Sequence, residues 1–229
     1  MPKHEVIDYP KSWRAVSMRE IKRGDTTKKQ VIFTFDGGSG SESVEQILMA
    51  LAKHHVKGSF FLTGQFAETF PALTRKIVSE GHEVFNHTYD HPHLPLQSNE
   101  EIHQELRKME MAMKNIVNPD FHAEPYFRAP YGDSDHRVIL AAFNEGYQSV
   151  GWTVDAGDWM ESEGVTAADV KNNILSSLAP GNIYLMHLGD YITGSVLDEV
   201  LSDIESRGYK VVSLTEGIRS STLEAQPLL

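Results

Sequence analysis

Three joints of one kind constrain this chain more than any other feature. Glu80-Gly81-His82, Glu145-Gly146-Tyr147 and Arg207-Gly208-Tyr209 each close a helix-like stretch and open a strand-like one. Glycine there supplies the left-handed position that ends an α-helix. Recurrent helix–Gly–strand joints, with strand–helix segments between them, mean successive βα units and a parallel sheet. Strand-like runs fall at 31–36, 58–63, 83–87, weakly at 125–128, then at 148–152, 182–187 and 210–214. That is about seven strands, one short of a closed eight-stranded (β/α) barrel. Phe66, Phe70, Leu73 and Ile77 share one helical face, and Ile102, Leu106, Met109, Met113 and Ile116 share another. Ser98 with Glu101, and Thr166 with Asp169, read as capping boxes. The stretch 118–126 is the least regular, and a surface excursion is expected there.

The 229 residues fit one domain of this kind. The sequence divides into a polar lead-in over 1–29 that packs on the outside, a main domain over 30–217 and a tail over 218–229. A formal charge of −11 argues against nucleic acid or an anionic membrane as partner, and a neutral polymer such as a sugar chain suits it better. The absence of cysteine excludes disulfides, thiolate catalysis and thiolate metal sites. Met1 to Asp25 holds no apolar core of a signal peptide, and no run approaches the roughly 20 apolar residues of a membrane span. The expected location is extracellular or in the cell wall if the sequence is a mature fragment, and cytoplasmic otherwise.

The chemistry collects at strand ends. The run V-I-F-T-F-D-G-G ends the first strand on Asp36; His87 ends the third and Arg128 the weak fourth; Asp155 and Asp158 follow the fifth; His187 ends the sixth. In a parallel α/β sheet these ends lie on one face, where ligand sites form. His87 and His91, spaced i, i+4, would point the same way from a helical turn and share one cation. Taken singly, each of these residues is as readily a surface or packing residue, and the bare H-x-x-x-H pattern is weak. Their shared placement is what carries the argument. Asp90 and His93 are nearby candidates for further ligands, or solvated loop residues. Asp190 and Tyr191 are equally readable as substrate contacts or as solvated loop. His4, His54, His55, His82, His103, His122 and His136 lack such placement and read as surface or packing residues.

In order, TFDGG at 34–38, HTYDH at 87–91, RAPY at 128–131, DAGDW at 155–159 and LMH at 185–187 resemble the five motifs of the NodB-like polysaccharide deacetylases, carbohydrate esterase family four. The resemblance runs from about Gln30 to Gly217. It implies a distorted, incomplete (β/α) barrel and metal-dependent removal of acetyl groups from N- or O-acetylated sugars of peptidoglycan, chitin oligosaccharide or xylan. By the resemblance Asp36 is the base toward water and His87 and His91 are metal ligands. The metal is then zinc, with cobalt or nickel as alternatives. Arg128 holds the base, and the Tyr131 amide faces the oxyanion. His187 is the general acid, Asp158 orients it, and Trp159 and Leu185 wall the acetyl methyl. Amide hydrolysis demands such a set independently: an activated water, a stabilised oxyanion and a proton for the departing amine.

One residue departs from the family pattern. The family reads TFDDG, and its second Asp is the third metal ligand; here that position is Gly37. The expectation is a two-histidine metal site with an open third position, completed by water or substrate. Replacement of the lost ligand by Asp90 or His93 is one alternative, and metal-free hydrolysis of a small amide is another. A sugar-binding protein that has lost catalysis is the third.

Overall fold

The computed structural model describes residues 19–38, 40–123 and 125–219. His4 and most of the lead-in and tail, with Ser39 and Glu124, lie outside the described residues. Eight strands are present among the described residues: β1 (Gln30–Gly37), β2 (Ser59–Leu62), β3 (Glu83–Asn86), β4 (Tyr126–Phe127), β5 (Gln148–Ser149), β6 (Val154–Asp155), β7 (Ile183–His187) and β8 (Lys210–Val212). The helices are α1 (Val44–Lys53), α2 (Gly64–Thr69), α3 (Pro71–Ser79), α4 (Asn99–Ile116), α5 (His136–Asn144), α6 (Ala167–Ser176), α7 (Ile192–Ser206) and α8 (Leu214–Arg219).

The strands form one sheet in the order β5-β4-β3-β2-β1-β7-β6, with β8 paired to β1 off that path. Every strand pairing is parallel, so the ends of the strands collect on one side. The distorted, incomplete barrel is therefore as expected, with one strand more than the sequence suggests. The run read as 148–152 stops at Ser149, and a two-residue strand, Val154–Asp155, follows it. Asp155 and Asp158 thus belong to the end of β6, which pairs with β7 rather than with β5. No pairing joins β5 to β6. The end of the lead-in crosses that region: Ile21 bridges Val150, and Arg23 bridges Asn182.

β1 is the hub, and its two faces belong to different apolar clusters. Val31, Phe33 and Phe35 pack in the large cluster with α1, α6 and α7; Ile32 packs with Phe61, Phe85, Val150 and Ile183 in a separate one. Asp36 and Thr34 alternate in phase with Ile32, so they share its face.

The glycine joints behave as the sequence requires: Gly81, Gly146 and Gly208 have φ of 78°, 91° and 74°. Both capping boxes form. The face running from Phe66 to Ile77 is not one helix. Phe70 ends α2, and Pro71 starts α3, where its missing N–H costs nothing. Met109 and Met113 are buried and Met111 is exposed, as a core-facing helix requires. Among the described residues no helix is long and apolar enough to cross a membrane.

Candidate active site

Asp36 and His187 are Cα partners across β1 and β7, so the two adjacent strand ends present them side by side. Asp36 is 7% exposed. Its Oδ1 accepts a 2.6 Å hydrogen bond from Arg128 Nη1, which also donates to Thr34 Oγ1 at 2.9 Å. The same guanidinium donates to the carbonyls of Val150 and Gly151 and lies 4.1 Å over the Phe61 ring. Arg128 is thereby locked, and it holds one carboxylate oxygen while the other faces His87 Nε2 at 3.6 Å.

On the opposite side, Asp158 is fully buried and well supplied with donors. Its Oδ1 accepts from His187 Nδ1 at 2.8 Å and from the Trp159 N–H at 3.0 Å; its Oδ2 accepts from the His187 N–H at 2.7 Å and from the Thr193 hydroxyl at 2.5 Å. Burial works against a charged His187, but the hydrogen bond and charge of Asp158, with Asp36 and Asp155 further off, outweigh it and hold the imidazole above its usual value. Burial also works against the Asp158 anion, but the hydrogen bond and charge of His187, with the Thr193 hydroxyl, overcome it, so its pKa falls. The pair is built to keep a proton on His187 with Nδ1 fixed and Nε2 free.

His87 and His91 converge, with ring centroids 4.9 Å apart at 70°. They do so without the helical turn that their spacing suggests. The segment is a loop in which Thr88 and His91 have φ of 67° and 63°. A β-branched residue in the left-handed region is strained. It is held by Asn86 Oδ1, which accepts the Thr88 N–H at 2.8 Å, and by Glu105 Oε2, which accepts the N–H groups of Tyr89 and Asp90. His87 Nδ1 donates to the Arg128 carbonyl at 2.9 Å, which leaves Nε2 with its lone pair. Burial lowers the pKa of both rings, that of His91 to about 4, where the neighbouring His87 adds to the effect.

Two neutral imidazoles suit a divalent cation. They are the whole of the fit, since among the described residues no group of three His, Asp or Glu side chains is arranged to hold a metal. His93 is turned away: its Nδ1 bonds Asp133 at 3.0 Å and its ring stacks 4.1 Å from Tyr131, whose own ring lies against His91. Asp90 is exposed on the cavity rim. At Gly37 the three atoms nearest to an added Cβ belong to Leu62 (2.7 Å), Leu188 (2.9 Å) and Phe66 (3.4 Å). A side chain at position 37 would run into apolar neighbours.

A cavity of about 920 Å³ unites these groups, lined by Asp36, His87, His91, Tyr131, Trp159, Leu185 and His187 among others. Arg128 and Asp158 stand behind this lining. The turn Pro130–Gly132 puts Tyr131 at φ 60°, which drives its ring out to the mouth. Trp159 is half exposed at the rim and its Nε1–H donates to Asp155. Thr193, Thr34, Asn86 and Glu105 are parts of this machinery that the sequence alone does not single out. A weak signal existed only for Asn86, a polar residue ending an otherwise apolar strand beside a candidate ligand.

The polysaccharide deacetylase family model matches residues 23–150, over half of the 229. The chain belongs to this family. The match covers the first three motifs, and the deacetylase motifs around Asp158 and His187 lie beyond it. The peptidoglycan-N-acetylglucosamine deacetylase of Bacillus cereus is 34% identical over 202 residues, covering 86% of this chain and 71% of that protein. Among solved structures, Bacillus subtilis PdaA, a family 4 carbohydrate esterase, superposes with a TM-score of 0.84 at 27% identity, over 92% of this chain and 88% of that one. A family-four pseudoenzyme from Bacillus anthracis superposes with a TM-score of 0.81 at 31% identity, over 88% of this chain and 69% of that one. This deacetylase-family chain thus stands near both enzymes and a pseudoenzyme.

Proposed function

We propose that this protein is an active deacetylase of N-acetylated hexosamine polymers, with domain 30–217 as the catalytic unit and the cell wall or its surroundings as the place of action. The observation that carries the reading is the pair of supported groups facing one cavity, Asp36 held by Arg128 and His187 held by Asp158. Asp36 takes the proton of a water as its oxygen bonds to the acetyl carbon. The Tyr131 N–H faces the oxyanion. His187 Nε2 gives its proton to the amine nitrogen as the C–N bond breaks, which leaves acetate and a free amino sugar. Leu185 and Trp159 enclose the methyl group. His87 and His91 would hold a divalent cation, zinc first and cobalt or nickel otherwise, which would polarise the acetyl carbonyl and acidify water.

The lining supports an uncharged or amine-bearing glycan. Asp36, Asp90, Asp155, Glu161 and Asp190 line the cavity, and no Lys or Arg does so among the described residues. Chitin-type oligosaccharides and peptidoglycan glucosamine fit this charge better than glycans rich in carboxylates; acetylated xylan is the O-acetyl counterpart. Gly37 and the pseudoenzyme relative favour a second reading, sugar binding without catalysis.

The test is acetate release from N-acetylglucosamine oligomers and from peptidoglycan. A chelator should abolish release, and added Zn²⁺ or Co²⁺ should restore it. Full activity of metal-stripped protein would move the assignment to a metal-free amidohydrolase. Oligomer binding without acetate release under any metal would establish the second reading.

A further inference from the structure

Asp190 is used by none of the steps above, yet it is 5% exposed beside the catalytic acid. It follows β7 by three residues and precedes α7. Its Oδ1 accepts the Thr193 N–H at 2.8 Å, and its backbone carbonyl accepts the Ser43 hydroxyl, which itself accepts the Gly194 N–H. The carboxyl is thus held from α7, and the main chain that carries it from the start of α1. Its Oδ2 is buried and has no donor. Thr193 ties this carboxyl to that of Asp158, donating its N–H to Asp190 Oδ1 and its hydroxyl to Asp158 Oδ2, so the two carboxylates are neighbours.

Two carboxylates in contact cannot both be charged cheaply, and one of them takes a proton. His187 and Thr193 hold Asp158 as the anion. We propose that Asp190 is a positioning residue that carries the shared proton, donates it to the Asp158 carboxylate, and so sets how firmly Asp158 holds the proton of His187. The chain is then carboxylic acid, carboxylate, imidazolium. Burial first, and then the charge of Asp158, push the Asp190 carboxyl up to about 7.

The other charged groups about Asp190 are few. Glu161, on the turn Asp158–Glu163, accepts the Tyr191 N–H at 3.4 Å, and Glu42 has its carboxylate against Gly40 beside Gly189. The packed residues of α1 and α7, Ser43, Gln46 and Thr193, are uncharged. The sign follows. While Asp190 is protonated it draws on the Asp158 carboxylate and loosens its hold on His187. When Asp190 ionises, a second negative charge tightens that hold, so His187 keeps its proton further into the alkaline range.

The role in catalysis rests on the deacetylase reading; the protonation itself does not, and NMR tests it without turnover. In the wild-type protein the Asp190 carboxyl carbon should titrate with a midpoint of about 7. The His187 ring resonances should show a second inflection at the same pH. In Asp190→Asn the inflection should vanish and His187 should titrate at a lower pH than in the wild type, with the alkaline limb of acetate release moving the same way. An Asp190 midpoint in the ordinary range near 4 would overturn the proposal even if the variant failed to fold. So would an unchanged His187 titration in folded Asp190→Asn. Absent acetate release with these titrations intact would instead count against the deacetylase reading alone.

Discussion

Replacing Arg128 by leucine tests the centre of the site. Arg128 is 1% exposed and makes hydrogen bonds to Asp36 at 2.6 Å, Thr34 at 2.9 Å, Gly151 at 3.0 Å and Val150 at 3.3 Å. Leucine matches its contact with Phe61 and offers none of these donors, so Asp36 is left as a buried charge without a counter-ion. Removing one partner of a buried ion pair costs about 3–5 kcal/mol. The bared carbonyls add to this unless water reaches them. For a chain of this length the loss corresponds to a fall in Tm of roughly 6–20 °C. Urea unfolding followed by circular dichroism and tryptophan fluorescence measures it. The control is Arg128→Leu with Asp36→Asn, which removes both charges and should recover about 1–3 kcal/mol as the coupling between the two sites. A loss below about 1 kcal/mol for the single variant would refute the reasoning, because the pair would then be solvated rather than buried. So would a double variant no more stable than Arg128→Leu. Arg128→Lys should lie between, since one ammonium can meet Asp36 but cannot also span both carbonyls.

Two further predictions test other joints of the argument. Asp158→Asn should lower the pKa of His187, because the hydrogen bond and charge that raise it are weakened and burial then prevails; the alkaline limb of acetate release should move to lower pH. The same variant should lose the stability that His187 contributes below its unfolded pKa, which in the wild type fades as pH rises through the raised folded value; an unshifted pH profile would show that Asp158 does not set the acidity of His187. Gly208→Ala should destabilise by about 1–2 kcal/mol, with the denaturation midpoint moving and the slope unchanged. No atom lies within 4 Å of the added Cβ and φ is +74°, so the cost is conformational alone, and a neutral result would discount the left-handed joint.

Much of the site was legible because it depends on residue type and short spacing. Asp36, His87, Arg128, Asp158 and His187 could be read as chemistry placed near strand ends without knowing the strand order. The convergence of His87 and His91 was legible too, but its cause was misjudged. Spacing i, i+4 suggests a helix, whereas a strained loop held by Asn86 and Glu105 brings the rings together. The short β6 was missed because two residues carry no periodicity.

The sequence by itself determined the βα repeat, through glycines with φ of 78°, 91° and 74°, and the caps of α4 and α6. These are local effects, complete within a few residues. It also determined that position 37 offers no side-chain oxygen as a ligand. Tertiary structure decided how the groups act. Arg128 meets Asp36 across 92 residues of sequence, Asp158 meets His187 across 29, and Thr193 reaches Asp158 across 35. Only the register of β1 against β7 puts Asp36 opposite His187. Only packing reveals that Leu62 and Leu188 close in on Gly37, where a side chain would have to go. Contacts of that range depend on which strands are neighbours, and adjacency is a property of the folded sheet that no single stretch of sequence carries.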